Sequence, residues 1–338
     1  MIDFRSDTFT KPTPGMLQAM LQAQTGDDVF REDPSVNKLE AMMADFFGKE
    51  AALYCPSGTM SNQIAIKVHV LPGDEVICSS LAHVYIYEGG GIAFNAGAQV
   101  RPLGGDRGMI VADEVAAAVN PDDVHKARTS LVCLENTSNL GGGCCYDWEE
   151  MQRIRAVCRD KGLALHLDGA RLFNALVATG GNAKAYGETF DSISICLNKG
   201  LGCPMGSVLV GSERFIKEAR RVRKKLGGGL RQAGYMAATG IYALEHHVDR
   251  LAEDHAHAKQ IAGALLEKTF TGHMLPVETN IVIFELRGEW KPPLFVDYLK
   301  KHDILALPIS PTQVRMITHL DITPEMVERT CQVIAEMD

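Results

Sequence analysis

The stretch ALHLDGARLFNALVATGGNAKAYGETFDSISICLNKG, residues 164–200, decides the fold because it joins two short apolar runs through a helical passage. LALHLD (163–168) and ISICLN (193–198) have the length and composition of buried strands, and GARLFNALVA (169–178) has helical character. A strand, a helix and a second strand in this order predict parallel pairing through a right-handed crossover. Ligands of such sheets bind at the carboxyl ends of the strands. Polar residues at those ends are therefore candidate site residues.

The same alternation extends in both directions from this stretch. Further predicted strands are ALYC (52–55), EVICSS (75–80), SLVCLEN (130–136) and SVLVG (207–211), and further predicted helices are SNQIAIKVHV (61–70), DEVAAAV (113–119) and DWEEMQRIRAVCRDKG (147–162). They predict one large α/β domain with a mostly parallel sheet. After a long helical passage ending near Leu266, a strand, a helix, a strand and a helix predict a smaller α+β domain: TNIVIFEL (279–286), LFVDYLKKH (294–302), VRMITH (314–319) and TPEMVERTCQVIAEM (323–337).

We accordingly divide the chain into three parts. Residues 1–15 form an N-terminal arm that is expected to be extended because it contains Pro12 and Pro14. Residues 16–245 form the large α/β domain, and residues 246–338 form the small α+β domain.

Composition excludes several classes of protein. Hydrophobic residues make up 46% and charged residues 22% of the 338, as in ordinary globular proteins, and the net charge of −8 argues against nucleic acid or an anionic membrane as a partner. The first residues carry no apolar signal segment, so a cytoplasmic location is expected. The nine cysteines lack a C-x-x-C spacing, which indicates free thiols and no metal site.

Candidate cofactor-binding residues stand at the ends of two predicted strands. Asp168 is costly to bury without a cationic partner, for which a pyridinium nitrogen is one candidate, although the residue can also act as a helix N-cap. Lys199 follows the next predicted strand, where partial desolvation favours a nucleophilic amine able to form a Schiff base. A lysine at that position taken alone can equally be a solvated surface residue.

Other segments supply further candidates. CPSGTMSNQIAI (55–66) turns from a strand into a helix whose N–H groups can hold a phosphate, or it is an ordinary capped turn. His83 can stack on a flat cofactor or transfer protons, or it is a structural histidine. His125 precedes a strand at the opposite edge, so a catalytic role would need a neighbouring subunit or a folded-back loop.

Arginines are the remaining candidates. Arg171 and Arg315 can each bind a carboxylate bidentately, and otherwise are ordinary salt-bridging residues. Lys224 and Arg231, in RRVRKKLGGGLRQAG (220–234), matter only if a phosphate lies nearby.

Taken together, the motifs resemble the low-specificity L-threonine aldolases of the aspartate-aminotransferase-like pyridoxal-phosphate (PLP) fold. The resemblance extends almost end to end and rests on FRSDTFTKP, GDDVF, SGTMSN, AHVYIYEGGG, PDDVHKAR, LENTSN, LHLDGARLFNA, CLNKGLGCPMGS, RKKLGGGLRQAG and VRMITHLD. It implies a PLP enzyme that cleaves a β-hydroxy-α-amino acid, such as threonine or allo-threonine, to glycine and an aldehyde. It also implies a homotetramer with active sites at subunit contacts.

The resemblance assigns roles position by position. The implied cofactor-binding residues are Gly58, Thr59, Met60, His83, Asp168, Arg171, Lys199, Lys224 and Arg231, with Lys199 as the Schiff-base lysine and His83 stacked on the ring. The implied substrate-binding residues are Ser6, Tyr87, Arg171 and Arg315. Lys199, His83 and His125 are the implied catalytic residues, and His125 would lie near the β-hydroxyl.

The chain departs from the family pattern at Phe30, Arg31, Ser138 and Asn198, where tyrosine, glycine, histidine and serine are usual. These departures leave the substrate range open but retain the PLP machinery. Alternatives are another PLP-dependent β-eliminating lyase, a transaminase, or a non-catalytic PLP-binding homologue.

Overall fold

The computed structural model describes residues 1–337. Its strands, numbered in chain order, are β1 (Ile2–Asp3), β2 (Ala51–Cys55), β3 (Glu75–Ser79), β4 (Gln99–Leu103), β5 (Thr129–Glu135), β6 (Ala164–Asp168), β7 (Ser192–Cys196), β8 (Ser207–Gly211), β9 (Thr271–Met274), β10 (Ile281–Leu286), β11 (Ile304–Leu305), β12 (Leu307–Pro308) and β13 (Gln313–Ile317). Its α-helices are α1 (Pro14–Leu21), α2 (Pro34–Phe46), α3 (Gly58–His69), α4 (His83–Ile86), α5 (Ala112–Ala118), α6 (Trp148–Lys161), α7 (Leu172–Thr179), α8 (Ala183–Thr189), α9 (Glu213–Lys225), α10 (Gly234–His246), α11 (Leu251–Leu266), α12 (Pro292–Lys301) and α13 (Pro324–Ala335).

Seven strands form the large sheet, in the order β2-β8-β7-β6-β5-β3-β4. The pairs β3–β4, β3–β5, β5–β6 and β6–β7 are all parallel, so the predicted fold class is confirmed. The sheet is mostly rather than wholly parallel because β8 runs antiparallel to both β7 and β2. No helix separates β7 from β8, and a connection that short cannot cross over to a parallel neighbour.

Strand β4 was not predicted. It lies at the edge of the sheet, and its sequence QVRPL is half exposed and contains Pro102. Proline is confined to edge strands because it cannot donate a ladder hydrogen bond. An edge strand of this kind lacks the continuous apolar run that identified the buried strands.

The face of the large sheet under α3 is polar at its centre. Side chains alternate along a strand, so Leu165 and Leu167 enter the main hydrophobic core while His166 and Asp168 point to the opposite face. Helix α3 covers that face and begins at Gly58, after the N-cap residue Ser57, whose hydroxyl accepts from the Met60 N–H. The helix therefore starts at the carboxyl ends of the strands, three residues earlier than predicted.

The remaining strands form an antiparallel sheet, β12-β13-β10-β9, and the short parallel pair β1-β11. A second hydrophobic cluster beneath this sheet includes Phe4, Phe284 and Phe295, so the N-terminal arm packs on the C-terminal part of the chain. The arm is not extended throughout, because Asp7–Phe9 form a 3-10 turn and Pro14 and Gly15 already belong to α1, where proline is tolerated in the first turn. The boundary at residue 245 stays a prediction. None of the helices within residues 1–337 is long and apolar enough to cross a membrane.

Candidate active site

A cleft of about 460 Å³ lies between the carboxyl edge of the large sheet and strand β13. Lys199 follows β7, and His83 begins α4 beyond β3. Six predicted site residues line this cleft, namely Ser6, His83, Tyr87, Arg171, Lys199 and Arg315. The fold thus brings together residues that are separated by up to three hundred positions.

Asp168 ends β6 and is 2% exposed. Its Oδ2 accepts from the Asn62 side-chain amide at 2.9 Å, and its Oδ1 accepts from the Ala170 N–H at 3.1 Å. The side chain of Asn62 also donates to Glu88 at 3.0 Å. Hydrogen-bond donors of the chain therefore hold Asp168 in an orientation suited to a cationic partner.

His83 lines the cleft, and its side chain lies close to Asp168 and Glu88. Its backbone N–H donates to Glu135 at 2.8 Å, and its Nδ1 lies 3.0 Å from Glu88 Oε1. Burial lowers the pKa of His83, but the Glu88 hydrogen bond and the charge of Asp168 outweigh it, so that the pKa is raised. For Glu135, burial and the charge of Asp168 together raise the pKa. His83 can thus carry or exchange a proton near neutral pH.

His83, Glu88 and Asp168 place potential metal-ligand atoms within 4.8 Å of one another. However, the amide nitrogen of Asn62 donates to both carboxylates, and a donor in that place competes with a cation for the same oxygens. The donor set fits a protonated ring nitrogen better than a metal ion.

The predicted phosphate turn lies beside the end of β7. The Met60 and Ser61 N–H groups donate to the hydroxyl and carbonyl of Ser57, which leaves those of Gly58 and Thr59 for an anion. A Cβ on Gly58 would lie 2.4 Å from Cys196 Sγ, so only glycine permits this approach. The residues present fit the phosphate of PLP.

Arg171 is 5% exposed and is bound by a residue that the sequence analysis did not single out. Its Nε and Nη2 donate to the two oxygens of Asp7 at 2.7 and 2.8 Å. Burial raises the pKa of Asp7, but Arg171, with help from Lys199, lowers it to about 2. Only Nη1 of Arg171, which donates to Asn139 at 3.3 Å, remains directed at the cleft.

Arg315 differs from Arg171 because it has no carboxylate partner within residues 1–337. Its Nη1 donates to the same Asn139 oxygen at 3.2 Å, its Nη2 lies 3.5 Å from the Arg5 carbonyl, and its Nε is buried without a partner. Burial and the charge of Arg171 lower the pKa of Arg315, yet a guanidinium stays protonated. Two guanidinium groups that share one neutral oxygen form a receptor for an anion.

Lys199 is half-buried, and its carbonyl accepts from the Thr10 hydroxyl at 3.1 Å, which ties the N-terminal arm to the loop after β7. Within the described part of the chain, its amine has neither a hydrogen-bond nor an ion-pair partner. The amine is therefore available to a ligand in the cleft.

Three predicted residues lie elsewhere in this subunit. His125 is exposed and contacts Asp123, at the strand edge opposite the cleft. Lys224 is exposed at the end of α9, and Arg231 donates to Asp27. A single chain does not bring them to the cleft.

The departures from the family pattern are also dispersed. Phe30 and Arg31 lie outside the cleft, and Arg31 has a left-handed φ of 62°. Ser138 is buried and accepts from the Gly141 N–H at 3.2 Å. A Cβ on Gly108 would lie 2.8 Å from its hydroxyl, so the loop at Gly108 packs closely against Ser138.

Sequence reasoning missed the residues that hold the site residues in place, namely Asp7, Asn62, Glu88, Glu135 and Asn139. Each lies within a motif quoted above, within three positions of a residue that was singled out. The available signal was a polar residue in a stretch that otherwise reads as buried, but pairwise contacts are not visible in a sequence.

The family model and the relatives that match this chain agree on its family. Residues 3–289 match the family model of the β-eliminating lyases. The low specificity L-threonine aldolase of Escherichia coli K12 is 43% identical over 330 residues, covering 97% of this chain and 96% of that protein. The Saccharomyces cerevisiae low specificity L-threonine aldolase is 40% identical over 340 residues, covering 99% and 86%.

Solved structures support the fold. A Leishmania major threonine aldolase superimposes with a TM-score of 0.86 at 20% identity, covering 99% of this chain and 98% of that one. A putative L-allo-threonine aldolase of Listeria monocytogenes gives 0.82 at 21% identity, covering 99% and 96%. On the sequence matches, the chain belongs to the low-specificity L-threonine aldolases of the β-eliminating lyase family and is a PLP-dependent lyase, as its motifs predicted.

Proposed function

We propose that this enzyme cleaves L-threonine, L-allo-threonine and related β-hydroxy-α-amino acids to glycine and an aldehyde. One observation carries the proposal: Lys199, His83 and the unpaired guanidinium of Arg315 face one cleft, beside a buried carboxylate held by amide donors. The cleft volume of about 460 Å³ suits a small amino acid together with a cofactor ring.

Several residues would hold PLP. Gly58 and Thr59 would bind its phosphate through their N–H groups, Lys199 would bind it covalently, His83 would stack on the ring, and Asp168 would face the ring nitrogen. When bound, PLP takes up the electron pair released from the bond that breaks at Cα.

Arg315 would bind the substrate carboxylate, because its Nε and Nη groups lack an anionic partner within residues 1–337. Arg171 would contribute its charge and a hydrogen bond from Nη1, but not a bidentate contact through Nε and Nη2, because these two nitrogens donate to Asp7. Ser6, whose hydroxyl accepts from Thr8, and Tyr87 would complete the pocket. A fixed carboxylate orients the Cα–Cβ bond, and orientation selects the bond that breaks.

His83 would take the β-hydroxyl proton, directly or through a water molecule, as the Cα–Cβ bond breaks and the aldehyde leaves. Its Nδ1 contact with Glu88 orients the ring and stabilises the imidazolium. A second proton transfer to Cα completes glycine. His125 of a neighbouring subunit is the other candidate base.

We also propose a homotetramer, in a cytoplasmic setting, whose neighbouring subunits bring His125, Lys224 and Arg231 to the cleft. The exposure of all three supports this arrangement, since they are free to contact another chain. A mixture of Lys199→Ala and Arg231→Ala subunits tests it. Random pairing at a two-fold interface should restore about a quarter of the wild-type activity, whereas no recovery would place each site within one subunit.

The experiment that tests the reaction offers the four threonine isomers to the PLP-loaded enzyme. Acetaldehyde and glycine formed from the two L isomers are the expected products. Ammonia with a keto acid would instead indicate elimination, and a keto acid without ammonia would indicate transamination. No turnover of any β-hydroxy amino acid would indicate a non-catalytic homologue.

A further inference from the structure

A chain of buried polar side chains leads from Asp168 away from the cleft into the protein. It consists of Asn62, His166, Ser192 and His69, which we call the relay, and it ends at His69, which is only partly buried. The first three are 2%, 0% and 0% exposed. Buried polar groups of this kind are costly unless each is hydrogen-bonded.

Local geometry places the relay on one face of the large sheet. His166 and Asp168 are two residues apart on β6 and therefore share a face, and Ser192 is the register partner of His166 on β7. Asn62 and His69 are seven residues apart on α3, two helical turns along the side that packs on this face. The relay is thus built by one helix and two adjacent strands.

The two carboxylates determine the orientation of the Asn62 amide. Glu88 Oε1 lies 3.0 Å and Asp168 Oδ2 lies 2.9 Å from its Nδ2. An amide oxygen in that place would face two acceptors, so the nitrogen must point towards the carboxylates. Asn62 Oδ1 consequently points at His166 Nε2, at 3.2 Å.

This orientation determines the histidine tautomer. Because Asn62 Oδ1 can only accept, His166 must carry its proton on Nε2, and its Nδ1 then accepts from the Ser192 hydroxyl at 2.8 Å. The Ser192 oxygen in turn accepts from His69 Nε2–H at 2.8 Å. All the donors point towards Asp168. Burial lowers the pKa of His166 to about 3, which keeps this ring neutral.

We propose that Asn62 and His166 are positioning residues that stabilise the ionised form of Asp168, so that the proton it shares with the cofactor ring stays on the ring nitrogen. This inference rests on the proposed function. Hydrogen bonds that reinforce one another along a chain polarise the last donor, and a donor to a carboxylate stabilises its negative charge. Without them, the shared proton would shift towards Asp168 and the ring would lose its capacity to withdraw electrons.

Another part of the molecule supplies a matched control. His255 is also buried and also contacts an asparagine amide, with Asn174 Nδ2 3.2 Å from its Nε2. Burial lowers its pKa to about 4. Within residues 1–337 this pair has no hydrogen bond to Asp168, so changing His255 tests the loss of a buried histidine alone.

The first test measures the His166 tautomer in the wild-type holoenzyme by long-range ¹H–¹⁵N NMR with ¹⁵N-labelled histidine, the signal being assigned by its absence in His166→Gln. The Nε2–H tautomer is expected at pH 7. Its Nδ1 also lies 3.1 Å from the Ser192 carbonyl, so an Nδ1–H tautomer that donates to that carbonyl is the competing arrangement. That result, read in the wild-type holoenzyme, would overturn the proposal.

The second test binds PLP labelled with ¹⁵N in its ring to wild type, Asn62→Leu, His166→Phe, His166→Gln and His255→Phe. Asn62→Leu and His166→Phe should shift the ring-nitrogen signal towards the unprotonated form and weaken PLP binding in equilibrium dialysis by roughly 10- to 100-fold, the loss expected for one or two hydrogen bonds to a charged group. His166→Gln, which restores a donor, should recover most of both, and His255→Phe should resemble wild type.

An unchanged ring-nitrogen signal in both Asn62→Leu and His166→Phe would refute the relay. These readouts are independent of the reaction. A wild-type enzyme that fails to cleave threonine would therefore contradict the proposed function while leaving the relay measurements intact.

Discussion

The two sides of the cleft are built differently. On the floor, formed by Asp168, Glu88 and Glu135, each carboxylate is hydrogen-bonded by donors of the same chain. At the mouth, Lys199 and Arg315 are cations without an anionic partner within residues 1–337. The floor is preorganised before any ligand arrives, whereas the mouth has charge that only a ligand or another subunit can neutralise.

This difference predicts which property of the enzyme a substitution on each side will change. Preorganised dipoles contribute to catalysis because they need no rearrangement when charge develops. Unpaired cations, by contrast, gain their partner on binding. We therefore expect changes on the floor to affect the protonation of the cofactor and the stability of the fold, and changes at the mouth to affect the ligand that each cation binds, PLP at Lys199 and the substrate at Arg315.

The largest expected effect is that of Lys199→Ala. Without the amine that binds PLP covalently, turnover should fall below detection and the visible absorbance of the bound cofactor should change. Lys199→Arg is the matched control, because it keeps the charge but is not a nucleophile, and it should be equally inactive. Full aldolase activity in Lys199→Ala would show that the lysine is not part of the mechanism.

His83 lies between the floor and the mouth, and His83→Phe separates the two roles that we propose for it, stacking on the cofactor ring and proton transfer. The phenyl ring can still stack, but it cannot accept a proton, so kcat should fall roughly 10²- to 10⁴-fold while PLP affinity is retained. His125→Phe, measured in parallel by steady-state kinetics, should cost less. A larger loss at position 125 would assign the base to the neighbouring subunit.

Asp7→Asn tests the buried ion pair that joins the N-terminal arm to Arg171 beside the cleft. Removing one partner leaves the buried Arg171 charge uncompensated, which should lower the free energy of unfolding by roughly 3–5 kcal/mol in urea titrations. Asp3→Asn is the control on the same arm, because Asp3 pairs with the partly exposed Arg5 and should cost less than about 1 kcal/mol. Equal losses would contradict the importance of burial.

The same ion pair predicts a pH dependence. The pKa of Asp7 is about 2 in the folded protein against 3.8 for an unperturbed aspartate. Its lowered pKa contributes about 2 kcal/mol of stability above pH 4, and this contribution is lost as the pH falls from 4 to 2. Asp7→Asn should show a correspondingly shallower acid transition in circular dichroism.

Arg31→Gly should have the smallest effect. Arginine at a φ of 62° is strained relative to glycine, so relief of this strain and the greater freedom of the unfolded chain should leave stability within about 1 kcal/mol of wild type. If Arg31 lies near the entrance of a neighbouring subunit's cleft, the ratio of kcat/KM for threonine and allo-threonine should change. An unchanged ratio would exclude a role in substrate choice.

Much of the large domain was predictable because its signals are local. Buried strands such as β6 and β7 are short segments rich in apolar residues, and a charged residue at or just after the end of each, Asp168 and Lys199, marks the binding edge. The edge strand β4 and the reversed strand β8 were not predictable in the same way. The first has no such run, and the direction of the second depends on how short its connection is.

By itself, the sequence determined the family, the fold class and the positions of Asp168 and Lys199, because strand periodicity and ordered motifs are properties of neighbouring residues. Only the tertiary structure decided that Asp7 engages Arg171 and that Arg315 is left open for a substrate. Asp7 and Arg171 are 164 residues apart, and which of two similar arginines receives a carboxylate depends on how distant segments pack. The relay behind Asp168 also depends on the tertiary structure. Strands β6 and β7 and helix α3 each contribute polar side chains, and these find their hydrogen-bond partners only when the helix packs on the sheet.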